Sequence, residues 1–414
     1  MPSQHLDNDQ IKTTKRYRQK REAILNAASQ LFDKFGFKGT MLSEVANMVG
    51  LNTNSITYYW KRKEDLFFDC QLHTIKSLES VMVRAADCDT PEERIRYLIH
   101  AFVDMLFEIR AGRYPALTSL RDFQELDSTY TQPIFAAYRA MFFRARNLIA
   151  EGPLEPGKKM ALSIRVYLLI NQLQWSRMWL GALNPDSYTR LADHMADILL
   201  NGLSGSGAAW GPTPLDQRLA HIDVPELPNH GFVSTAINLI NEVGFDGASI
   251  DRISARLNVT KGSFYHHITS KEELFADCIR RTNSVVDAMQ KMTLQSPENG
   301  FEKLCALSRA MVTFHFSPRG PLLRTSTWSE LSNYTQFHNR VEPVRAFIQN
   351  VTDLFAAGMI DGSIRPTHQQ VAATMMVGMV SGATTLDKWV PGSENTEATE
   401  LFVRPFFEGI CCPI

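Results

Sequence analysis

Residues 249–274 read Ser249-Ile250-Asp251-Arg252-Ile253-Ser254-Ala255-Arg256-Leu257-Asn258-Val259-Thr260-Lys261-Gly262-Ser263-Phe264-Tyr265-His266-His267-Ile268-Thr269-Ser270-Lys271-Glu272-Glu273-Leu274. Ser249 suits the N-cap of a short helix, because its side-chain oxygen accepts a backbone N–H that has no partner inside the helix. Asn258 follows where the chain must turn, and Asn tolerates the left-handed conformation. Thr260 then caps a second short helix over Lys261–His267, and Ser270 caps the next. Two short helices joined by a tight turn form a helix-turn-helix, whose second helix fits the major groove of DNA.

The same pattern stands 208 residues upstream. Ala28, Leu31, Gly36-Phe37 and Gly39 match Ala236, Leu239, Gly244-Phe245 and Gly247. Ser55 matches Ser263, and Lys63-Glu64-Asp65-Leu66-Phe67 matches Lys271-Glu272-Glu273-Leu274-Phe275. Twelve of 47 aligned positions are identical without a gap, too many for chance. The likeness runs on: Glu151-Gly152-Pro153 answers Asp361-Gly362-Ser363, and Trp179 answers Trp389. The duplicated unit is therefore about 190 residues long, a complete subunit. Between the copies, Ser204-Gly205-Ser206-Gly207 and a Pro-rich run to Pro228 have linker composition, flexible first and stiffer afterward. Apolar residues recur at helical spacing, as in Ile24, Ala27, Ala28, Leu31 and Phe35, and alternating strand patterns are scarce. The fold class is all-α.

Composition sets outer bounds. The chain has 414 residues, 44% hydrophobic and 21% charged, with a formal net charge of −1. That balance argues against a nucleic-acid binder unless charge is unevenly spread. No signal peptide is visible. The most apolar run, Met160 to Leu183, is broken by Lys, Arg, Asn and Gln, so no membrane partner is expected. Cys70, Cys88, Cys278, Cys305, Cys411 and Cys412 show no zinc spacing and read as reduced thiols of a cytoplasmic protein. No phosphate loop, nucleophile elbow, carboxylate pair or metal-ligand spacing is present, so neither an enzyme nor a bound cofactor is expected.

From Val259 to Leu274 the chain resembles, almost residue for residue, the recognition-helix signature of the TetR family of transcriptional regulators. Leu51-Asn52-Thr53-Asn54-Ser55-Ile56-Thr57-Tyr58-Tyr59-Trp60-Lys61-Arg62-Lys63-Glu64-Asp65-Leu66 is a looser match, with Thr57 where the family has Tyr and Trp60 where it has Phe. The resemblance implies two units, each a three-helix helix-turn-helix domain followed by a helical ligand-binding and dimerisation domain. The expected boundaries are a basic arm at 1–20, heads at 21–67 and 229–275, C-terminal domains at 68–203 and 276–414, and a linker at 204–228. It places Thr53, Asn54, Thr57, Tyr58 and Tyr59 on DNA in the first copy, and Lys261, Gly262, Tyr265 and His266 in the second. Ile56, Trp60, Phe264 and Ile268 are expected in the core. Lys61 lacks a packing role and joins the DNA set. Lys63 and Lys271 open the next helix, where free N–H groups suit a phosphate. Thr40 is a further phosphate candidate, replaced by Ala248 in the second copy.

The copies differ sharply in charge. Residues 11–63 carry eleven Lys/Arg against three acids, a sum of +8, whereas residues 219–271 carry four against five, a sum of −1. Phosphate neutralisation supplies most non-specific affinity, so the first head is expected to bind DNA more strongly. Lys15, Arg16 and Arg18 lie in the basic run that resembles the family's N-terminal arm. The resemblance also implies pairing of the last long helices, either as an intramolecular pseudodimer or as a homodimer of the tandem chain. A double-stranded operator and a small hydrophobic effector are the expected partners, with repression relieved by the effector. The alternative is an effector-binding or protein-interaction module whose second head no longer binds DNA. Candidate pocket residues are Phe102, Met105, Phe123, Tyr167, Gln174, Trp175 and Met178 in the first copy, and Phe314, His315, Trp328, Met375 and Met379 in the second.

Overall fold

The computed structural model describes residues 15–120, 126–150, 156–224, 229–325, 342–393 and 396–413. Their regular structure is helical, apart from one isolated antiparallel bridge between Ser204 and Ile364. The chain divides into two compact units, Met1–Ser80 with Met105–Met141 and Val81–Asp104 with Phe142–Ile414.

The first unit begins with α1 (Lys15–Gly39), α2 (Leu42–Met48), α3 (Thr53–Tyr59) and the start of α4 (Lys63–Ala85). Gly36 breaks α1 at φ 71° and ψ 178°, a conformation open essentially to glycine alone. The kink turns Phe37 inward, where its ring lies 5.0 Å from that of Phe67. Phe32 meets the same ring edge-on at 4.9 Å. Ile24, Ala28, Val45, Ile56, Leu66 and Cys70 complete this core. Parts of α5 (Pro91–Arg110) and α6 (Ser128–Ile149) also belong to this unit.

The second unit repeats the head as α10 (His230–Gly247), α11 (Ile250–Arg256), α12 (Lys261–His267) and α13 (Lys271–Leu294). Gly244 kinks α10 at φ 73° and ψ 175°, as Gly36 does in α1. The helix-turn-helix turn needs a left-handed residue in both heads: Gly50 has φ 64° and Asn258 φ 58°. The expected caps are in place. Ser249, Thr260 and Ser270 accept the N–H groups of Arg252, Ser263 and Glu273.

Behind this head, α14 (Gly300–Phe316), α15 (Glu342–Asp361), α16 (Gln369–Ala383), the short α17 (Leu386–Trp389) and α18 (Thr396–Glu408) pack together. The same unit holds α7 (Lys159–Leu180) and α8 (Tyr188–Asn201) of the first copy. These two pack on α16 and α18. The close approach is set by glycines: a Cβ on Gly378 would lie 2.2 Å from Trp175 Cδ1, and one on Gly382 would lie 2.4 Å from Asn171 Nδ2. Side chains of α7 then reach α16 carbonyls. Trp175 Nε1 donates to Thr374 O at 2.8 Å, Gln172 Nε2 to Met375 O at 2.9 Å, and Tyr167 Oη to Gly382 O at 2.7 Å. Arg165, buried on α7, donates to the carbonyls of Ile410 and Pro413 at 3.1 and 3.2 Å.

The segment after Asn201 corrects the linker expectation. Its Gly/Ser run is docked and not a free tether. Leu203 N donates to Phe407 O at 2.7 Å, Gly205 N to Ser363 O at 2.8 Å, and Arg365 N to Leu203 O at 3.1 Å. A short helix, α9 (Pro214–Ala220), lies on α14. Arg309 holds it there: its Nη2 donates to Asp216 at 2.8 Å, and its guanidinium stacks on Trp210 at 4.6 Å. Glycine here permits close backbone approach, since a Cβ on Gly205 would lie 2.3 Å from Gly362 O.

Candidate nucleic-acid interface and cleft

The second helix of the first helix-turn-helix, α3, is short, so its outward face is fixed by what lies beneath. Asn52 caps it, with Oδ1 accepting Ser55 N at 2.8 Å. Ile56 and Trp60 are buried as expected, leaving Thr53, Asn54 and Tyr58 outward and Thr57 half-buried. Tyr58 is 55% exposed. Tyr59 is half-buried under Tyr17 of α1, with ring centroids 4.8 Å apart, and Tyr17 meets Tyr58 edge-on at 6.4 Å. Burial and the neighbouring Tyr17 and Tyr58 push the Tyr59 hydroxyl pKa up. Asp69 accepts from Arg21 and, at 2.9 Å, from Trp60 Nε1, while Arg21 stacks on the Trp60 ring at 4.9 Å. The described part of the basic run, Lys15 to Arg21, is thus a helical extension braced against α3. Sequence reasoning missed Tyr17 because the surrounding cations dominate that run.

Lys15, Arg16, Arg18 and Lys61 are exposed, and none has an ion-pair partner among the described residues. Three phosphate candidates, Thr40, Lys63 and Lys271, are corrected. Thr40 is fully buried and its hydroxyl donates to Gly36 O at 2.9 Å. Lys63 turns back into the fold, where Nζ donates to Phe37 O at 2.9 Å and Thr40 O at 3.1 Å above the Phe37 ring. Lys271 repeats this in the second head, donating to Phe245 O at 3.0 Å over the Phe245 ring. Both lysines tie the kinked end of the first head helix to the start of the fourth.

In the second head Phe264 and Ile268 are buried, and Lys261, Gly262, Tyr265 and His266 face outward. The His267 side chain lies outside the described residues. Lys261 Nζ is 2.7 Å from Asp251 Oδ1, and that carboxylate holds the ammonium pKa above its ordinary value. Arg256 pairs with Glu242, and Arg252 Nη1 donates to Gly247 O at 3.2 Å. Each of the four basic side chains counted in this head therefore already has a protein partner.

The pocket candidates scatter. Tyr167, Trp175 and Met375 lie where α7 meets α16, as described above. Phe102, Met105, Phe314 and Met379 are buried. Gln174 Oε1 accepts from Arg177 at 2.9 Å, and Met178 is exposed. Phe123 and Trp328 lie outside the described residues. Of the described candidates, His315 alone lines a half-open cleft of about 610 Å³, open solvent included, between α13, α14, α15, α16 and the loop at 322–325. Its Nδ1 accepts Leu322 N at 3.1 Å, and burial lowers its pKa to about 4. Thr282, Asn283, Asp287 and Ser381 line the same cleft; nothing in their spacing marks them in the sequence.

Two stretches of the chain, residues 24–70 and 232–278, match a family model described as bacterial regulatory proteins, tetR family. The transposon Tn10 TetC protein of Escherichia coli is 38% identical over 73 residues, 15% of this chain and 37% of that protein. The HTH-type transcriptional repressor NicS of Pseudomonas putida is 32% identical over 84 residues, 20% of this chain and 39% of that protein. The chain thus spans well under half the length of the curated relatives it matches. Among solved structures, the TetR family transcriptional regulator PfmR from Thermus thermophilus aligns at 17% identity with a TM-score of 0.34, covering 48% of this chain and 100% of that one. The chain thus carries, in tandem, two helix-turn-helix domains that match the tetR family, at residues 24–70 and 232–278.

Proposed function

We propose that the chain is a ligand-responsive, DNA-binding transcriptional regulator whose two units pair within one chain as a pseudodimer. On this reading it acts on operator DNA in the cytoplasm, at a site with two unlike half-sites, and the first head supplies most of the affinity. The observation that carries it is the contrast in available cations. Lys15, Arg16, Arg18 and Lys61 stand exposed around the first recognition helix, whereas Lys261, Arg256, Arg252 and Lys271 are engaged by Asp251, Glu242, Gly247 and Phe245. Thr53, Asn54, Thr57 and Tyr58 would read bases in the first half-site, and Gly262, Tyr265 and His266 in the second. Packing of α7 and α8 on α16 and α18 supports pairing in cis over a homodimer. The cleft beside His315 is the proposed effector site. The relative named as a repressor favours repression relieved by that effector.

A second reading, in which the second head no longer binds DNA, is favoured by the Lys261–Asp251 pair. Footprinting on the DNA upstream of the chain's own gene tests both. Two unequal protected halves at one chain per site support the first reading, and a single protected half supports the second. Absence of any complex at low salt refutes both.

A further inference from the structure

Resting on the effector reading above, we propose that the cleft of the second unit takes an uncharged small molecule bearing hydrogen-bond acceptors, held by the hydroxyls of Thr282 and Ser381 and the Nε2–H of His315. The argument begins with the loop at 322–325. All four of its backbone N–H groups are accepted by side chains, each from a different helix. Leu322 N donates to His315 Nδ1 at 3.1 Å, Leu323 N to Thr282 Oγ1 at 3.2 Å, Arg324 N to Asn241 Oδ1 at 3.0 Å, and Thr325 N to Ser381 Oγ at 3.0 Å. These acceptors stand on α14, α13, α10 and α16.

Three of the four, His315, Thr282 and Ser381, line the cleft. A hydroxyl oxygen that accepts keeps its own proton, and a neutral imidazole accepting at Nδ1 carries its proton on Nε2. Clamping the loop therefore leaves the wall with three donors, and among the described residues none of those protons has an acceptor. The charge on the lining is Asp287, and no Lys or Arg lines the cleft among the described residues. Among the described residues, an anionic ligand would meet the like charge of Asp287 and no Lys or Arg on the lining, the nearby Lys388 being engaged by Glu242 at 3.7 Å, and burying an unpaired charge is strongly unfavourable. Val286, Met311, Phe347 and Val380 offer an apolar surface for the body of the molecule.

The fourth acceptor links this wall to the reading head. Asn241 lies on α10, donates from Nδ2 to Leu322 O at 2.8 Å, and accepts Arg324 Nη1 on its own carbonyl at 2.8 Å. A ligand that draws on Thr282 or Ser381 thus pulls on a loop bonded to the first helix of the head. Part of this clamp recurs in the first unit, where Thr118 N donates to Thr74 Oγ1 at 2.8 Å and Ser119 N to Asp33 Oδ1 at 2.9 Å.

Two dyes with a common naphthalene body test the ligand class on the full chain: uncharged 6-propionyl-2-(dimethylamino)naphthalene, whose ketone accepts, and anionic 8-anilinonaphthalene-1-sulfonate. The ketone is expected to bind at least about tenfold more tightly, a gap of one factor of ten in Kd. Ser381→Ala and Thr282→Val should each weaken it by about fivefold, the worth of one hydrogen bond. Val380→Trp should block it. Tighter or equal binding of the sulfonate, in competition with the ketone, overturns the proposal, and so does ketone binding indifferent to all three substitutions. Should Val380→Trp not fold, the dye competition on the unmodified chain decides. Ketone binding that meets these criteria but leaves DNA affinity unchanged supports the ligand class and refutes the effector reading.

Discussion

Removing the positive charge of Lys15, Arg16 and Arg18 together, as the triple alanine variant, should flatten the salt dependence of DNA binding. Each neutralised phosphate on B-DNA contributes about −0.9 to the slope of log affinity against log salt. If Lys15, Arg16, Arg18 and Lys61 each neutralise one phosphate, this head contributes a slope of about −3.6, and affinity falls about 150-fold between about 50 and 200 mM salt. The triple variant leaves about −0.9 from this head and a fall of about 3.5-fold over the same range. The second head gives the converse. Asp251→Asn releases Lys261 and should steepen the slope by about 0.9, whereas Lys261→Ala should cost less than loss of Arg18. Fluorescence anisotropy of a labelled duplex from the upstream region, titrated at a series of salt concentrations, reads all of these slopes. A triple variant with the parental slope, or an Asp251→Asn variant with an unchanged one, refutes the assignment of available charge.

Lys63→Met and Lys271→Met should each lower stability by about 2 kcal/mol, the worth of hydrogen bonds to a charged donor, while leaving the salt slope unchanged; urea unfolding and anisotropy together check this. Gly378→Ala forces a methyl against Trp175 and should cost about 1–3 kcal/mol by overpacking, read as a lower Tm. His315 has a folded pKa of about 4 against an ordinary 6.5, so the folded chain binds fewer protons than the unfolded chain between those values. The stability it contributes, about 3 kcal/mol, is complete above the ordinary value and is lost as pH falls through the folded one. Urea unfolding across that range should show the loss, and His315→Gln should remove it.

The helix-turn-helix was legible because its determinants are local. Caps at Ser249, Thr260 and Ser270, a left-handed Asn258, and Ile56 and Phe264 at buried spacing all act within a few residues of themselves. Lys63 and Lys271 misled for the opposite reason. Their position at a helix start suits a phosphate, but the carbonyls they bind, Phe37 and Phe245, lie 26 residues away in sequence and meet them only after the kink at Gly36 or Gly244. Charge counting found the asymmetry between heads without seeing that Asp251 engages Lys261. Among the pocket candidates, apolar and aromatic character could not separate a wall from a helix contact. Tyr167 and Trp175 face α16, and the polar wall of Thr282 and Ser381 carries no periodic signature.

If the units pair in cis as proposed, the docked stretch around Leu203 and Gly205 changes the order of the pairing reaction. Separate subunits find one another by diffusion, so their association weakens on dilution. Here α8 leads within a few residues into backbone bonds with Phe407 and Ser363, and α7 is delivered to α16 on the same polypeptide. On the proposed pairing in cis, the contact between α7 and α16 is unimolecular and independent of how many copies of the chain a cell contains, so dilution of the chain should leave that contact intact.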